Sequence, residues 1–299
     1  MKIYILCPWV LTGGPESIHQ LCHTLNSLSY ESYIVYYDLG LGIGNKLYDD
    51  IYSETKIIDY MEDADNNIII IPESYIDKMN YDCKSKIVIW WLSYDYGIDK
   101  FKNLDSSKIY RIVHACQSFY AYSKLLEFFN NDNRNIVLLF DYIRPQIIDA
   151  GYNIKNKQNI VAINPVKDNT SYNILANNNK EIIKLCDMNY DKIIESLQLC
   201  KVYVDFGYHP GKDRIPREAA ALGCVIITNN KGSAYYNEDI NIDEKLDDES
   251  ELNNLVDDIY NNYSDYLMKQ HKYRNNIIKE EMIVRNHVKG FINYLENNA

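Results

Sequence analysis

The chain has 299 residues, 46% of them hydrophobic, and a formal net charge of −11. That length and apolar content suffice for two compact domains, each with its own core. The acidic balance argues against a general nucleic-acid binder, because phosphates want a basic face, yet a small anion can still be held by a few clustered Lys or Arg.

The first half alternates strand and helix patterns. Lys2–Cys7 is a short apolar strand, and Pro15–Leu28 places Ile18, Leu21, Cys22, Leu25 and Leu28 at helical spacing. Strands follow at Ser32–Tyr37, Ile68–Ile71, Lys86–Leu92 and Ile109–Ala115, then a helix over Ser118–Phe129 and a strand at Asn135–Phe140. Gly151 and the polar run Asn153–Gln158 interrupt the alternation, which sets a domain boundary at 152/153, giving domains 1–152 and 153–299. The pattern then restarts. Strands are expected at Asn159–Ile163, Glu181–Leu185, Lys201–Phe206 and Cys224–Thr228, and helices at Thr170–Asn177, Tyr190–Cys200 and Ile215–Leu222. From Glu249 onward the chain reads as helical, ending in a long helix over Ile277–Leu295. Continuous apolar strands imply burial on both faces, and their alternation with helices predicts doubly wound, parallel α/β sheets. In such sheets ligands sit beyond the carboxyl ends of the strands.

Seven cysteines are scattered, with no CxxC pair, which reads as reduced thiols packed as small hydrophobes. Met1–Cys7 is too short and lacks the basic flank of a signal peptide, and no run approaches the ~20 apolar residues of a membrane span. A cytoplasmic protein is expected, and peripheral association with the inner membrane face remains compatible with the sequence.

The segment Tyr208-His-Pro-Gly-Lys-Asp-Arg-Ile-Pro-Arg-Glu218 carries the densest chemistry. Lys212, Arg214 and Arg217 stand just before or within the start of a helix that contains Pro216 and ends at Gly223. A helix start offers N–H groups and partial positive charge to an anion, so Lys212 and Arg214 suit a diphosphate. Glu218 can accept from ribose hydroxyls. A solvated basic helix start is the plain alternative.

Arg217-Glu-Ala-Ala-Ala-Leu-Gly-Cys-Val-Ile-Ile-Thr228 resembles the donor-site block of GT-B glycosyltransferases of the family-4-like, bacterial polysaccharide type. The resemblance implies two Rossmann-like domains facing a cleft, with C-terminal helices. The first would take the acceptor and the second the nucleotide-sugar. It also implies Glu218 on the ribose, and Lys167, His209, Lys212, Arg214, Gly232 and Ser233 around the donor. Thr12-Gly-Gly-Pro-Glu16 is similar to the family's N-terminal glycine turn, in which Gly13 and Gly14 allow close backbone approach. Two departures stand out. Pro210 occupies the place of the first acidic residue of the family's Glu-x7-Glu pattern, and Asn164-Pro-Val-Lys167 keeps only the lysine of the usual phosphate loop.

A general base is sought among Glu73, Asp95 and His19, with Glu16 beside them; Glu73 and Asp95 follow strand ends. Their plain readings are a helix cap for Glu73 and a turn residue for Asp95. Trp90 reads as core. Trp91 or Tyr94 could stack on a sugar, though core packing is the simpler reading. His19 and His23 have zinc-like spacing without a third ligand, and Gly40-Leu-Gly-Ile-Gly44 lacks the dinucleotide spacing. With Lys212 and Arg214 at a helix start to neutralise the leaving diphosphate, the resemblance implies a metal-independent transferase. It would move sugar from a nucleotide-diphosphate donor to a hydroxyl of a glycan, lipid-linked glycan or protein, with no nucleic-acid partner. The alternatives are a non-catalytic binding subunit of the same fold, or an epimerase or phosphorylase.

Overall fold

A computed structural model describes residues 1–38, 46–105, 109, 111–167 and 169–297. The Gly40–Gly44 pattern lies outside them. The chain forms two compact units, Met1–Tyr142 with Glu281–Ala299, and Ile143–Glu280.

In the first unit the order is β1 (Ile3–Pro8), α1 (Gly13–Ser27), β2 (Ser32–Tyr37), α2 (Lys46–Ile51), β3 (Ile68–Pro72), β4 (Lys86–Trp91), α3 (Tyr94–Lys102), β5 (Val113–Cys116), α4 (Phe119–Phe128) and β6 (Ile136–Leu138). The six strands form one parallel sheet in the order β2-β1-β3-β4-β5-β6. Its central strand β3 is apolar throughout because both faces are covered: Ile68, Ile69, Ile70 and Ile71 are all buried. Ser118 caps α4 by accepting from the Ala121 N–H at 3.1 Å.

The second unit contains α5 (Pro145–Ala150), β7 (Gln158–Ile163), α6 (Asn169–Asn177), β8 (Glu181–Lys184), α7 (Tyr190–Leu199), β9 (Cys200–Asp205), α8 (Arg214–Ala221), β10 (Val225–Asn229), β11 (Lys245–Leu246), α9 (Leu252–Asn261), α10 (Tyr263–Lys269) and α11 (His271–Ile278). Its five strands are parallel, ordered β11-β10-β9-β7-β8. Ala219 and Ala220, at 0% and 1% exposure, pack α8 closely within this unit's core. Gly223 ends α8 with φ +83, the left-handed state that favours glycine.

Two boundaries differ from the sequence reading. The chain leaves the first unit after Tyr142, ten residues before the expected 152, because Ile143 and Ile147 pack into the second unit's core. The closing helix, Glu280–Asn297, returns to the first unit, where Val284, Val288, Phe291, Ile292 and Leu295 enter its core. An amphipathic stripe reports that a helix is buried on one side, not which sheet it covers. All seven cysteines are unbonded to one another, and five of them are buried. Among the described residues no helix is long and apolar enough to cross a membrane.

Candidate functional site

Each sheet reverses its winding once. In the second unit β8 and β9 lie on opposite sides of β7, so the carboxyl ends of β7 and β9 flank a switch point, where doubly wound sheets bind ligands. Lys167 follows β7, and His209 follows β9. Lys167 Nζ meets Asp213 Oδ1 at 2.8 Å, and His209 Nδ1 lies 2.7 Å from Asp213 Oδ2. On the other side of the imidazole, Nε2 is 3.8 Å from Asp205 Oδ1. Burial alone would lower the pKa of His209, but bonding to Asp213 and the charge of Asp205 raise it. Burial raises that of Asp205. Asp213 is held below the usual carboxylate range, because His209 and Lys167 outweigh its burial.

The loop that carries His209 is tightly clamped. Gly207 is needed because a Cβ there would stand 2.9 Å from both Asp205 Oδ1 and Lys167 Cβ. Gly232 is needed more severely: its φ is +58, and a Cβ would lie 2.1 Å from the His209 carbonyl oxygen. Ser233 donates its N–H to that same carbonyl at 2.9 Å and its hydroxyl to the Gly211 carbonyl at 2.7 Å. Gly232 and Ser233 therefore hold the His209–Gly211 loop in place.

At the start of α8 the expected cations separate into different tasks. Lys212 Nζ pairs with Glu280 Oε1 at 2.9 Å, and Arg217 Nη1 with Glu280 Oε2 at 2.8 Å. Arg217 also donates to the carbonyls of Asp213 and Lys212, at 3.1 and 3.0 Å, so it fixes the turn into the helix. Arg214 Nε lies 3.7 Å from Glu218 Oε1, which accepts from the Tyr190 hydroxyl at 2.8 Å. The guanidinium of Arg144 covers the Tyr190 ring at 3.7 Å. Five basic residues (Lys167, His209, Lys212, Arg214, Arg217) thus meet four carboxylates (Asp205, Asp213, Glu218, Glu280), and a sixth, Arg144, lies on the Tyr190 ring. With His209 protonated, the local balance is positive in a chain whose formal charge is −11.

Asp205, Asp213, Glu280, Tyr190 and Arg144 were not singled out from the sequence. Asp205 ends a strand and Asp213 precedes a helix, which are usable signals. Glu280 lies 63 residues from Arg217 and gives none.

In the first unit β2 and β3 flank β1, which places the switch point between the ends of β1 and β3. Gly13 and Gly14 open α1 there. A Cβ on Gly14 would meet only Leu92, at an ordinary 3.6 Å, so the protein's own packing does not require this glycine. Glu73 begins the 3-10 turn after β3, is buried, and accepts from the Leu92 N–H at 3.0 Å. Burial raises its pKa to about 7 against the opposing backbone hydrogen bonds. Asp95 sits in the first turn of α3 and accepts from the Tyr120 hydroxyl at 3.0 Å. Glu16 is buried and accepts from the Tyr52 hydroxyl at 2.9 Å.

His19 is fully buried, 2.9 Å from the Tyr36 hydroxyl, and burial holds its pKa down to about 4. It is a neutral core histidine. His23 instead accepts from the Glu54 N–H, so the two histidines serve separate partners. Trp90 donates to the Leu139 carbonyl and Trp91 to His114, both inside the core, and Trp91 offers no sugar platform.

Neither the known family models nor the curated protein sequences match this chain. Solved structures match it along nearly its whole length. A glycosyltransferase from Rickettsia africae ESF-5 is 14% identical with a TM-score of 0.66, covering 99% of this chain and 98% of its own. This is the GT-B glycosyltransferase fold. T4 phage BGT in complex with its UDP-glucose substrate is 14% identical with a TM-score of 0.57, covering 97% of this chain and 99% of its own. An alpha-glucosyltransferase in complex with UDP and a 13-mer DNA containing a HMU base is 10% identical with a TM-score of 0.54, covering 94% and 95%. At these identities the likeness establishes the fold.

Proposed function

We propose that this protein is a glycosyltransferase of the family-4-like, polysaccharide type, working in the cytoplasm without a metal. The second unit would bind a nucleoside-diphosphate sugar and the first its hydroxyl acceptor, on a glycan, lipid-linked glycan or protein. The observation that carries this reading is the positive balance at the β7/β9 switch point. A diphosphate brings the negative charge such a site matches, and the N-terminus of α8 adds its dipole. Solved structures of the same fold are described with UDP-glucose and with UDP, which makes uridine the first base to test.

In this reading Lys167 and Arg214 face the diphosphate, buried His209 holds Asp213 in place, and Lys212 and Arg217 hold the loop. Glu218, oriented by Tyr190, takes the ribose. Glu73 is the favoured base. It would accept the acceptor hydroxyl's proton as that oxygen bonds to the anomeric carbon, and the bond to the diphosphate would break with its electron pair leaving on phosphate oxygen. A carboxyl with a pKa near 7 suits that task at neutral pH. Asp205, His209 and Asp213 offer ligand atoms within 4.8 Å of one another, a spacing that could also hold a metal. Lys167 and His209 already occupy both oxygens of Asp213, so the chain supplies its own cations there.

Pro210, standing where the related block carries an acidic residue, favours one second reading: a binding subunit that holds a nucleotide-sugar without turnover. The discriminating experiment measures nucleotide release from UDP-glucose and other donors over a panel of acceptors, with chelator present. Acceptor-dependent release supports the enzyme. Stabilisation by the donor without release supports the binding subunit.

A further inference from the structure

At the amino ends of β7 and β10, away from the basic cluster, a lysine and a cysteine share the same two acceptors. Lys157 immediately precedes β7, and Cys224 immediately precedes β10. Lys157 Nζ donates to the Leu197 and Cys200 carbonyls, both at 2.8 Å. The Cys224 thiol donates to the same two carbonyls, both at 3.3 Å. Nζ and Sγ are held 3.8 Å apart by this arrangement. Both side chains are buried, at 8% and 0% exposure.

A buried ammonium ordinarily has a carboxylate partner. Among the described residues Lys157 has none, and neither has Arg274, which donates to the Ala220 and Leu267 carbonyls. The two cations approach the same Tyr152 ring, at 5.7 and 5.9 Å. Burial lowers the pKa of Lys157 and Arg274 lowers it further, against the pull of the nearby thiols. This favours the neutral amine, which is the nucleophilic form. Helix capping explains part of the arrangement, since Leu197 lies in the last turn of α7, where a lysine suits the carbonyls. That role needs neither a thiol beside the amine nor a route to solvent. Lys157 also lines a cavity of about 400 Å³ with Lys201, Tyr260, Tyr263 and the exposed Asn261, Asn262 and Ser264, so the cavity is open to water.

We propose that Cys224 Sγ and Lys157 Nζ form a reversible covalent bridge when the protein meets peroxide. Peroxide transfers one oxygen to the thiol, giving a sulfenic acid and water, and a sulfenic acid condenses with nitrogen to a sulfenamide. Here the Lys157 amine attacks the sulfur. The S–N bond forms as the S–O bond breaks, and the hydroxyl leaves as water with a proton from the amine. Sulfur loses two electrons and peroxide gains them; a thiol reductant returns two electrons to sulfur and frees the amine. Contact between the two groups makes the condensation intramolecular. The bridge ties the start of β7 to the residue that follows α8 and Gly223. It stands apart from the glycosyltransferase reading.

The test adds hydrogen peroxide to the reduced protein, alkylates the remaining thiols and maps the digest by mass spectrometry. Half-buried Cys83 and Cys186 report that the oxidant sufficed. The Lys157 and Cys224 peptides should be recovered joined, two hydrogens lighter than their sum, and should separate with dithiothreitol. Cys200→Ser should keep the joined pair and Lys157→Met should lose it; the wild-type map decides even where a variant fails to fold. The inference is overturned if Cys224 is recovered in a disulfide with Cys200, or as a sulfinic or sulfonic acid with Lys157 unmodified. It is equally overturned if Cys224 is still free to alkylate once Cys83 and Cys186 have been oxidised.

Discussion

Replacing Arg217 with alanine tests whether the start of α8 is held by a buried charge network. The guanidinium is 1% exposed and donates to Glu280 Oε2, the Asp213 carbonyl and the Lys212 carbonyl at 2.8, 3.1 and 3.0 Å. Breaking a buried ion pair from one side costs ~3–5 kcal/mol, because the remaining charge loses its partner. Here Glu280 keeps Lys212 at 2.9 Å, which moves the cost toward the lower end. Two carbonyls also lose a donor, at about 1 kcal/mol each. The expected destabilisation of the second unit is therefore about 5 kcal/mol. Lys212→Met leaves the better-buried Arg217 on Glu280 and should cost less, on the order of 1–2 kcal/mol. The two units need not unfold together, so urea unfolding should be followed by hydrogen exchange on peptides of each unit. Protection should fall around residues 207–222 while the first unit's peptides stay unchanged. A loss below about 1 kcal/mol, with protection there intact, would refute the network's role.

Glu73 has a folded pKa of about 7, raised by burial, so between the unfolded carboxylate value and 7 the folded state holds a proton that the unfolded state has lost. Stability should then fall as pH rises through that window, by up to about 3 kcal/mol, and Glu73→Gln should flatten the slope in denaturation series between acidic and neutral pH. If Glu73 is also the base, activity should rise through an apparent pKa near 7 and be abolished in the same variant. Gly232→Ala must place a Cβ against the His209 carbonyl at φ +58, and should cost at least ~1–3 kcal/mol and weaken UDP binding with it, as read by thermal shift. Turnover should survive chelator unchanged; loss that returns with added divalent metal would assign the Asp205–His209–Asp213 cluster to an ion.

The strands were legible because a strand buried on both faces is a near-continuous apolar run, as in Ile68–Pro72 and in Val225–Ile227 of β10. α8 was legible from Pro216 near its start and Gly223 past its end. Helix α3 was not, because Ser93-Tyr-Asp-Tyr-Gly97 reads as a turn. Gly97 is there for packing: a Cβ would come within 2.5 Å of Glu73 Cβ, so the glycine lets α3 close on the buried carboxyl. The basic cluster was visible as composition, but its division of labour was not. Whether a lysine meets ligand or protein depends on residues far along the chain, such as Glu280, and periodicity carries no such information. His19 shows the same limit, since a histidine on a helix reads alike whether it faces solvent or, as here, the core.

The central claim is that a nucleotide-sugar binds at the end of β9 and the start of α8. Calorimetric titration of UDP and UDP-glucose into wild type, Glu218→Ala and Arg214→Ala tests it most directly. Each variant should lose donor affinity by about tenfold or more, well beyond any change in its Tm, since one charged contact is worth ~1.5–3 kcal/mol. Donor affinity unchanged in both variants would contradict the account.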